Sequence, residues 1–207
     1  WTPDGEGILF TSLREEDADW QWRESEIYAV AVETGDIRQL TTRAGPDRGP
    51  VPSPDGGMVA YQGYDMTDDT YVEPGLYVMN MDGSESRRIA GELGRGLGNL
   101  TWAPDGRGLY FNAAMEGTEN LWFAPLEGDP RAVTEGNHEL GFSSMDEEGN
   151  VVATVSSYHE PGDIWSFNLE APSRMHRLTR VNQDILADVA LGEVEEIWYE
   201  SVDDYRI

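Results

Sequence analysis

The sequence predicts an all-β fold: a β-propeller segment of about four consecutive four-stranded antiparallel blades, part of a ring of about seven or eight. Three observations carry this. The triplet Pro-Asp-Gly recurs as Pro3-Asp4-Gly5, Pro54-Asp55-Gly56 and Pro104-Asp105-Gly106, with the aspartates 51 and 50 positions apart. Repeats of about 40 to 50 residues built from short strands mark one propeller blade per unit. Each triplet is followed by short runs of alternating apolar residues, and helix signals are nearly absent. Ser25-Glu26-Ile27 and residues 186–196 are too short to compete.

Each unit reads in the same order. Proline presets φ for a tight turn, aspartate bonds the backbone ahead of it, and glycine accepts positive φ. The triplet therefore reverses the chain between an innermost strand and the next one. That next strand reads Gly7–Thr11, Met58–Tyr61 and Gly108–Asn112, and after a polar loop a second alternating run follows as Ile27–Val30, Leu76–Met79 and Leu121–Ala124. Glycine turns come next at Thr34-Gly35-Asp36, Asp82-Gly83-Ser84 and Glu127-Gly128-Asp129. Short edge strands close the units at Arg38–Thr41, Arg87–Ile89 and Arg131–Thr134, where arginine protects an exposed edge from stray pairing. A fourth unit replaces the triplet with Asp146-Glu147-Glu148-Gly149 and continues through Val151–Val155, Asp163–Phe167 and Arg177–Thr179. The expected blades span 1–41, 48–90, 98–134 and 139–180. Trp1 falls inside the first turn, so the chain is expected to be an excerpt whose further blades precede it.

Composition narrows the partners. With 39% hydrophobic residues the chain can bury a core, and no apolar run is long enough to span a bilayer as a helix. Forty acids stand against fourteen bases, all arginine, for a net charge of −26. Such a surface repels nucleic acid and anionic lipid, so neither nucleic acid nor membrane is an expected partner. It favours solubility, including at high salt, or attraction of cationic peptide ends. The absence of cysteine excludes disulfides and thiolate metal sites but leaves cytoplasm and periplasm both open.

Candidate chemistry is sparse. The nearest approach to a Gly-x-Ser-x-Gly elbow is Gly141-Phe142-Ser143-Ser144-Met145, which lacks the second glycine and falls in a predicted inner strand. Ser143 is therefore read as strand packing, and no catalytic residue is expected in the chain. His138, His159 and His176 lie far apart, and Asp65-Met66-Thr67-Asp68-Asp69-Thr70 lacks the order of a calcium loop. No metal or other cofactor is expected. Trp102, Tyr110, Trp122 and Trp165 recur at matched positions and read as inter-blade core.

The C-terminal third carries a resemblance. Tyr158–Trp165 is followed by Arg177-Leu178-Thr179-Arg180-Val181-Asn182 and then by Leu191–Ser201, read Leu-Gly-Glu-Val-Glu-Glu-Ile-Trp-Tyr-Glu-Ser. This order resembles the end of the propeller in the prolyl oligopeptidase family of serine peptidases, in its acylaminoacyl-peptidase and dipeptidyl-aminopeptidase-like branch. Tyr61–Asp65 and Leu76–Ser84 fit the same branch. Ser201-Val202-Asp203-Asp204 departs from the Ser-x-Asp-Gly usual in that family. The resemblance implies that 181–207 is a connector towards an α/β-hydrolase domain of the same polypeptide. It also implies that the propeller is a non-catalytic lid admitting short peptides. Separately, the apolar faces left open at the ends of a four-blade arc make other copies of the chain expected homo-oligomer partners. Within Arg14–Trp20 the resemblance implies that Glu15 and Glu16 bind a substrate α-amino group, as paired glutamates do in dipeptidyl-peptidase relatives. Two carboxylates suit an ammonium because each accepts a charge-assisted hydrogen bond. The alternative is a stand-alone periplasmic Tol-type propeller, a protein-binding module with nearly the same triplets.

The charge yields a first prediction. Screening reaches about 10 Å at 0.1 M salt and about 3 Å at 1 M, and folding crowds like charges. The melting temperature should rise from low salt to about 1 M sodium chloride at neutral pH; a flat or falling series would show the carboxylates to be dispersed or paired.

Overall fold

A computed structural model describes residues 1–14, 16–91, 96–205 and 207. Among the described residues fifteen strands fall into four consecutive groups. The first group holds three strands where four are expected, β1 (Gly7–Ser12), β2 (Glu26–Ala31) and β3 (Ile37–Gln39), which take the places of the second, third and edge strands of the other groups. The second holds β4 (Asp47–Pro52), β5 (Met58–Gly63), β6 (Gly75–Asn80) and β7 (Arg87–Ile89). The third holds β8 (Leu97–Trp102), β9 (Gly108–Met115), β10 (Thr118–Pro125) and β11 (Arg131–Ala132). The fourth holds β12 (Glu139–Met145), β13 (Asn150–Ser156), β14 (Asp163–Asn168) and β15 (His176–Arg177), before the short helix α1 (Gln183–Leu186). Within each group neighbouring strands pair antiparallel in chain order. The last two groups touch through one parallel bridge, Glu119 opposite Glu139. These are propeller blades, and the all-β expectation holds.

The triplets form the predicted turns between first and second strands. Gly5, Gly56 and Gly106 adopt φ of 74°, 72° and 70°, conformations a side chain would strain. Asp4, Asp55 and Asp105 each accept the amide two residues ahead, at 2.9, 3.0 and 3.1 Å. In the fourth blade the aspartate moves to the head of a turn one residue shorter, where Asp146 accepts the amides of Glu148 and Asn150 at 3.0 and 2.8 Å. Hydrogen bonds from Thr2, Ser53, Arg107 and Asn150 hold these four carboxyls below the usual range.

A single sheet has two apolar faces, and here the faces between consecutive blades are buried against one another. Ile27, Leu40, Val59, Tyr61 and Met79 pack between the first and second blades. Leu76, Val78, Leu97, Trp102, Leu109 and Phe111 pack between the second and third. Leu121, Leu140, Phe142, Val151 and Phe167 pack between the third and fourth. Trp102 is buried, while Trp122, Tyr110 and Trp165 pack at the margins of these clusters, as their recurrence predicts. Polar bridges accompany the apolar contact. The fifth residue of each second strand reaches the innermost strand of the next blade. Thr11 Oγ1 accepts from Gly49 N at 3.1 Å, Gln62 Nε2 donates to Leu97 O at 2.9 Å, and Asn112 Oδ1 accepts from Phe142 N at 2.9 Å.

Three of the four edge strands are shorter than the sequence predicts, while β7 matches its expected Arg87–Ile89. Thr41, Thr134 and Thr179 leave them and turn inward, because the hydroxyl finds a better set of partners than an exposed ladder offers. Each hydroxyl accepts a backbone amide of the third strand, from Ile27, Leu121 and Ile164, at 2.9, 3.0 and 2.9 Å. Each also donates to the side chain one residue earlier, namely Glu26, Asn120 and Asp163. Thr179→Val keeps the shape but removes both bonds and leaves the buried Asp163 a donor short. Urea unfolding should show a loss of about 1–3 kcal/mol; an unchanged midpoint would make the clip incidental.

Candidate functional site

The alternation of strands sorts the loops onto two rims. Pro-Asp-Gly turns and glycine turns lie on one rim. The described residues of 13–25, with 64–74 and 157–162, which join second to third strands, lie on the other with the blade-to-blade crossings. The segment after β15 leaves from this second rim and folds back on it, where His159 Nε2 meets Gly192 O at 2.6 Å. Glu196 lines a pocket of about 360 Å³ there with Glu116, Trp122, Thr134 and Glu135.

The long loop of the first blade is pinned at its base. Arg23 Nη1 donates to Thr67 O and Asp69 O, both at 3.1 Å, and its guanidinium lies over the Trp22 ring at 4.6 Å. Glu24 Oε2 accepts Gly45 N at 3.1 Å. Towards the tip Glu16 is exposed and Trp20 is 86% exposed. Of the predicted amine-binding pair, Glu15 lies outside the described residues. The Asp65–Thr70 loop turns its carboxylates to structural use: Asp65 pairs with Arg43 at 3.0 Å and Asp69 accepts from Thr67 Oγ1 at 3.1 Å.

No nucleophile is assembled among the described residues. Ser143 sits exposed at a bulge of β12, where the register with β13 shifts between Phe142 and Ser144, and forms no hydrogen bond to a histidine. His138 lies at the third-to-fourth blade junction with its ring packed against Gly136, and burial lowers its pKa. His176 stands in the edge strand β15. Among the described residues no three His, Asp or Glu side chains gather as a metal site.

One site was not anticipated from sequence: a buried ionic junction between the first and second blades. Asp47 opens β4 opposite Gly63, the register position that Leu97 and Leu140 hold opposite Ala113 and Val155 in the next two blades. It is fully buried, paired with Arg43, and its Oδ2 lacks a partner among the described residues. Arg43 also donates to Tyr77 Oη at 2.8 Å and lies over that ring at 4.3 Å. Gly63 is obligatory, since a Cβ there would lie 2.1 Å from the Asp47 carboxylate. Burial raises the Asp47 carboxyl and lifts Glu26, clipped to Thr41 beside it, to about 7. The available signal was an acid in the register position of a leucine, but that register is visible only once the strands pair.

Glu26 gives a pH prediction. The folded chain keeps a proton on it up to about 7, whereas the unfolded chain releases it near the ordinary 4.5. The folded state therefore binds more protons in this window, and stability falls as pH rises from about 4.5 to about 7. Glu26→Gln should be more stable than the parent at pH 8 by on the order of 1 kcal/mol, about 2–4 °C in melting temperature. The gain should shrink towards pH 5. Parallel pH curves for the two proteins would refute the assignment.

Comparison with known proteins adds to this geometry. The chain is 26% identical over 208 aligned residues to dipeptidyl-peptidase 5 of Porphyromonas gingivalis, a match covering 98% of this chain and 30% of that protein. Acylaminoacyl peptidase of Pyrococcus horikoshii superposes on 100% of this chain and 30% of its own, with a TM-score of 0.76 at 18% identity. TolB of Acinetobacter baumannii covers 86% of this chain and 42% of its own, with a TM-score of 0.67 at 18% identity. No family model matches the chain. The chain spans about a third of the length of the curated relative, and the two structural likenesses show the fold.

Proposed function

We propose that this chain, a propeller segment of the prolyl oligopeptidase type, is the substrate-gating lid of a serine peptidase that cleaves short peptides. The observation that carries the reading is the peptidase match over 98% of the chain, beyond the blades and through the segment after β15. The TolB likeness stops at 86% and supports the shared architecture, so the protein-binding module is the weaker reading. Residues 181–207 serve as the connector towards an α/β-hydrolase domain. The second rim, onto which this segment folds, then faces the hydrolase, and substrates reach the reacting centre past the loops of that rim.

On this reading the loop holding Glu15 and Glu16 offers paired carboxylates to the α-ammonium of a peptide. The exposure of Glu16 and the anchoring of the loop base through Arg23 support that role. The ring supplies shape and charge, and the hydrolase supplies nucleophile and base.

The polypeptide that carries this chain should be labelled by a fluorophosphonate and should release short products from peptides. The 207-residue chain alone should do neither. In the peptidase, Glu15→Gln/Glu16→Gln should raise KM about tenfold for substrates with a free α-amino group and leave N-acylated ones unchanged. Turnover by the isolated chain that Ser143→Ala abolishes would overturn the proposal. An equal effect on free and acylated substrates would remove the amine-binding role alone.

A further inference from the structure

Three of the four blades share the threonine clip, the fourth adds an arginine to it, and the second departs from it. In the fourth blade Arg177, opposite Trp165 on β15, donates from Nε to Asp163 Oδ2 at 3.0 Å and to Thr179 O at 2.9 Å. Asp163 is the first residue of β14 and is buried. The same register in the second blade sets Arg88 opposite Tyr77 and places Gly75 first in β6. The arginine is kept and its carboxylate is missing. The residue matching Thr179 is Ala90, at a positive φ of 66°, so the hydroxyl clip is missing as well.

Arg88, exposed on β7, lays its guanidinium over the vacated position. A Cβ built on Gly75 would lie 2.6 Å from Arg88 Nε and 3.1 Å from its guanidinium carbon. No hydrogen bond or ion pair to Arg88 exists among the described residues. The space it faces is a pocket of about 320 Å³ lined by Gly63, Tyr64, Asp65, Val72, Glu73 and Tyr77. Its other charges are engaged: Asp65 holds Arg43 at 3.0 Å, and Glu73 accepts the Tyr71 hydroxyl through Oε1. Glu73 Oε2 is left facing the crossing at Gly96, 3.8 Å from where a Cβ there would stand.

We propose that the pocket lined by Glu73, Gly75 and Arg88 binds a small zwitterion, a free amino acid or dipeptide. Its carboxylate displaces the flexible Arg88 side chain outward and takes the place that Asp163 fills in the fourth blade, and its ammonium faces Glu73. A planar guanidinium recognises a carboxylate through two parallel N–H···O bonds, a geometry lysine does not reproduce. A carboxylate alone would be disfavoured beside Asp65 and Glu73, whereas a zwitterion satisfies both signs. The pocket opens on the rim that carries residues 64–74. The inference stands on blade geometry and holds whether or not the chain serves a peptidase.

Isothermal titration of the 207-residue chain with alanyl-leucine, its C-terminal amide and its N-acetyl derivative tests this. The dipeptide should bind in the millimolar range, and amidation or Arg88→Gln should weaken it about tenfold. Acetylation or Glu73→Gln should weaken it several-fold. Gly75→Asp supplies an internal carboxylate at a site where Arg88, a flexible side chain, yields; it should abolish binding while circular dichroism stays unchanged. Equal binding of acid and amide, wild-type binding by Arg88→Gln, undisturbed binding by a folded Gly75→Asp, or no binding of the dipeptide would each overturn the proposal.

Discussion

Blade-on-blade burial is the constraint on which this structure depends. A four-stranded sheet of short strands cannot hide both faces by itself, so every blade relies on its neighbour to cover Val59, Leu109 or Val151. The apolar term is non-directional and would let two blades slide across one another. Thr11, Gln62 and Asn112 stop that by bonding the innermost backbone of the next blade. Trp102 does the same from the other side, its indole donating to Val51 O at 2.9 Å. Apolar area supplies the attraction, and these directional bonds fix the register.

The strand-to-strand turns then act as spacers. Aspartate and positive-φ glycine close the first hairpin of the first three blades at the same length, which delivers the polar bridging residue to the fifth position of their second strands. Threonine clips hold the outer half of a blade in the same repetitive way. Departures stand out against this regularity. Asp47 replaces a leucine, and Gly75 with Ala90 replaces an acid and a threonine. Both departures sit in the second blade on the rim towards which the long loops and the C-terminal segment converge.

A chain of net charge −26 has little cation to spend, so the placement of arginine is informative. Arg43 and Arg177 neutralise buried or half-buried carboxylates where the interior would otherwise reject them. Arg23 locks two loops through carbonyl oxygens and holds the first-blade loop at its base. On the proposed reading as a peptidase lid, such loops would present acid to an incoming peptide and keep the few guanidiniums for structure and for the proposed pocket at Gly75.

The turns and strands were legible in the sequence because their chemistry is local. Proline fixes φ, glycine accepts positive φ, and aspartate reaches the amide two residues ahead, so Pro54-Asp55-Gly56 means the same thing before and after folding. The inter-blade role of Trp102 was legible for a related reason: a large aromatic repeating once per blade has only the neighbouring blade to pack against. Three edge strands were overextended, because whether Thr134 continues a ladder or turns inward depends on Asn120, fourteen residues away. The junction of Glu26, Arg43 and Asp47 and the pocket at Arg88 were not legible at all. In sequence they are scattered charges among fifty-four. Only strand register shows that Asp47 stands where Leu97 does and that Arg88 lies where a carboxylate is missing, and burial then sets the cost of the charge on Asp47. Local backbone chemistry determined the blades; desolvation and long-range register, which exist only in the packed structure, decided where the polar sites lie.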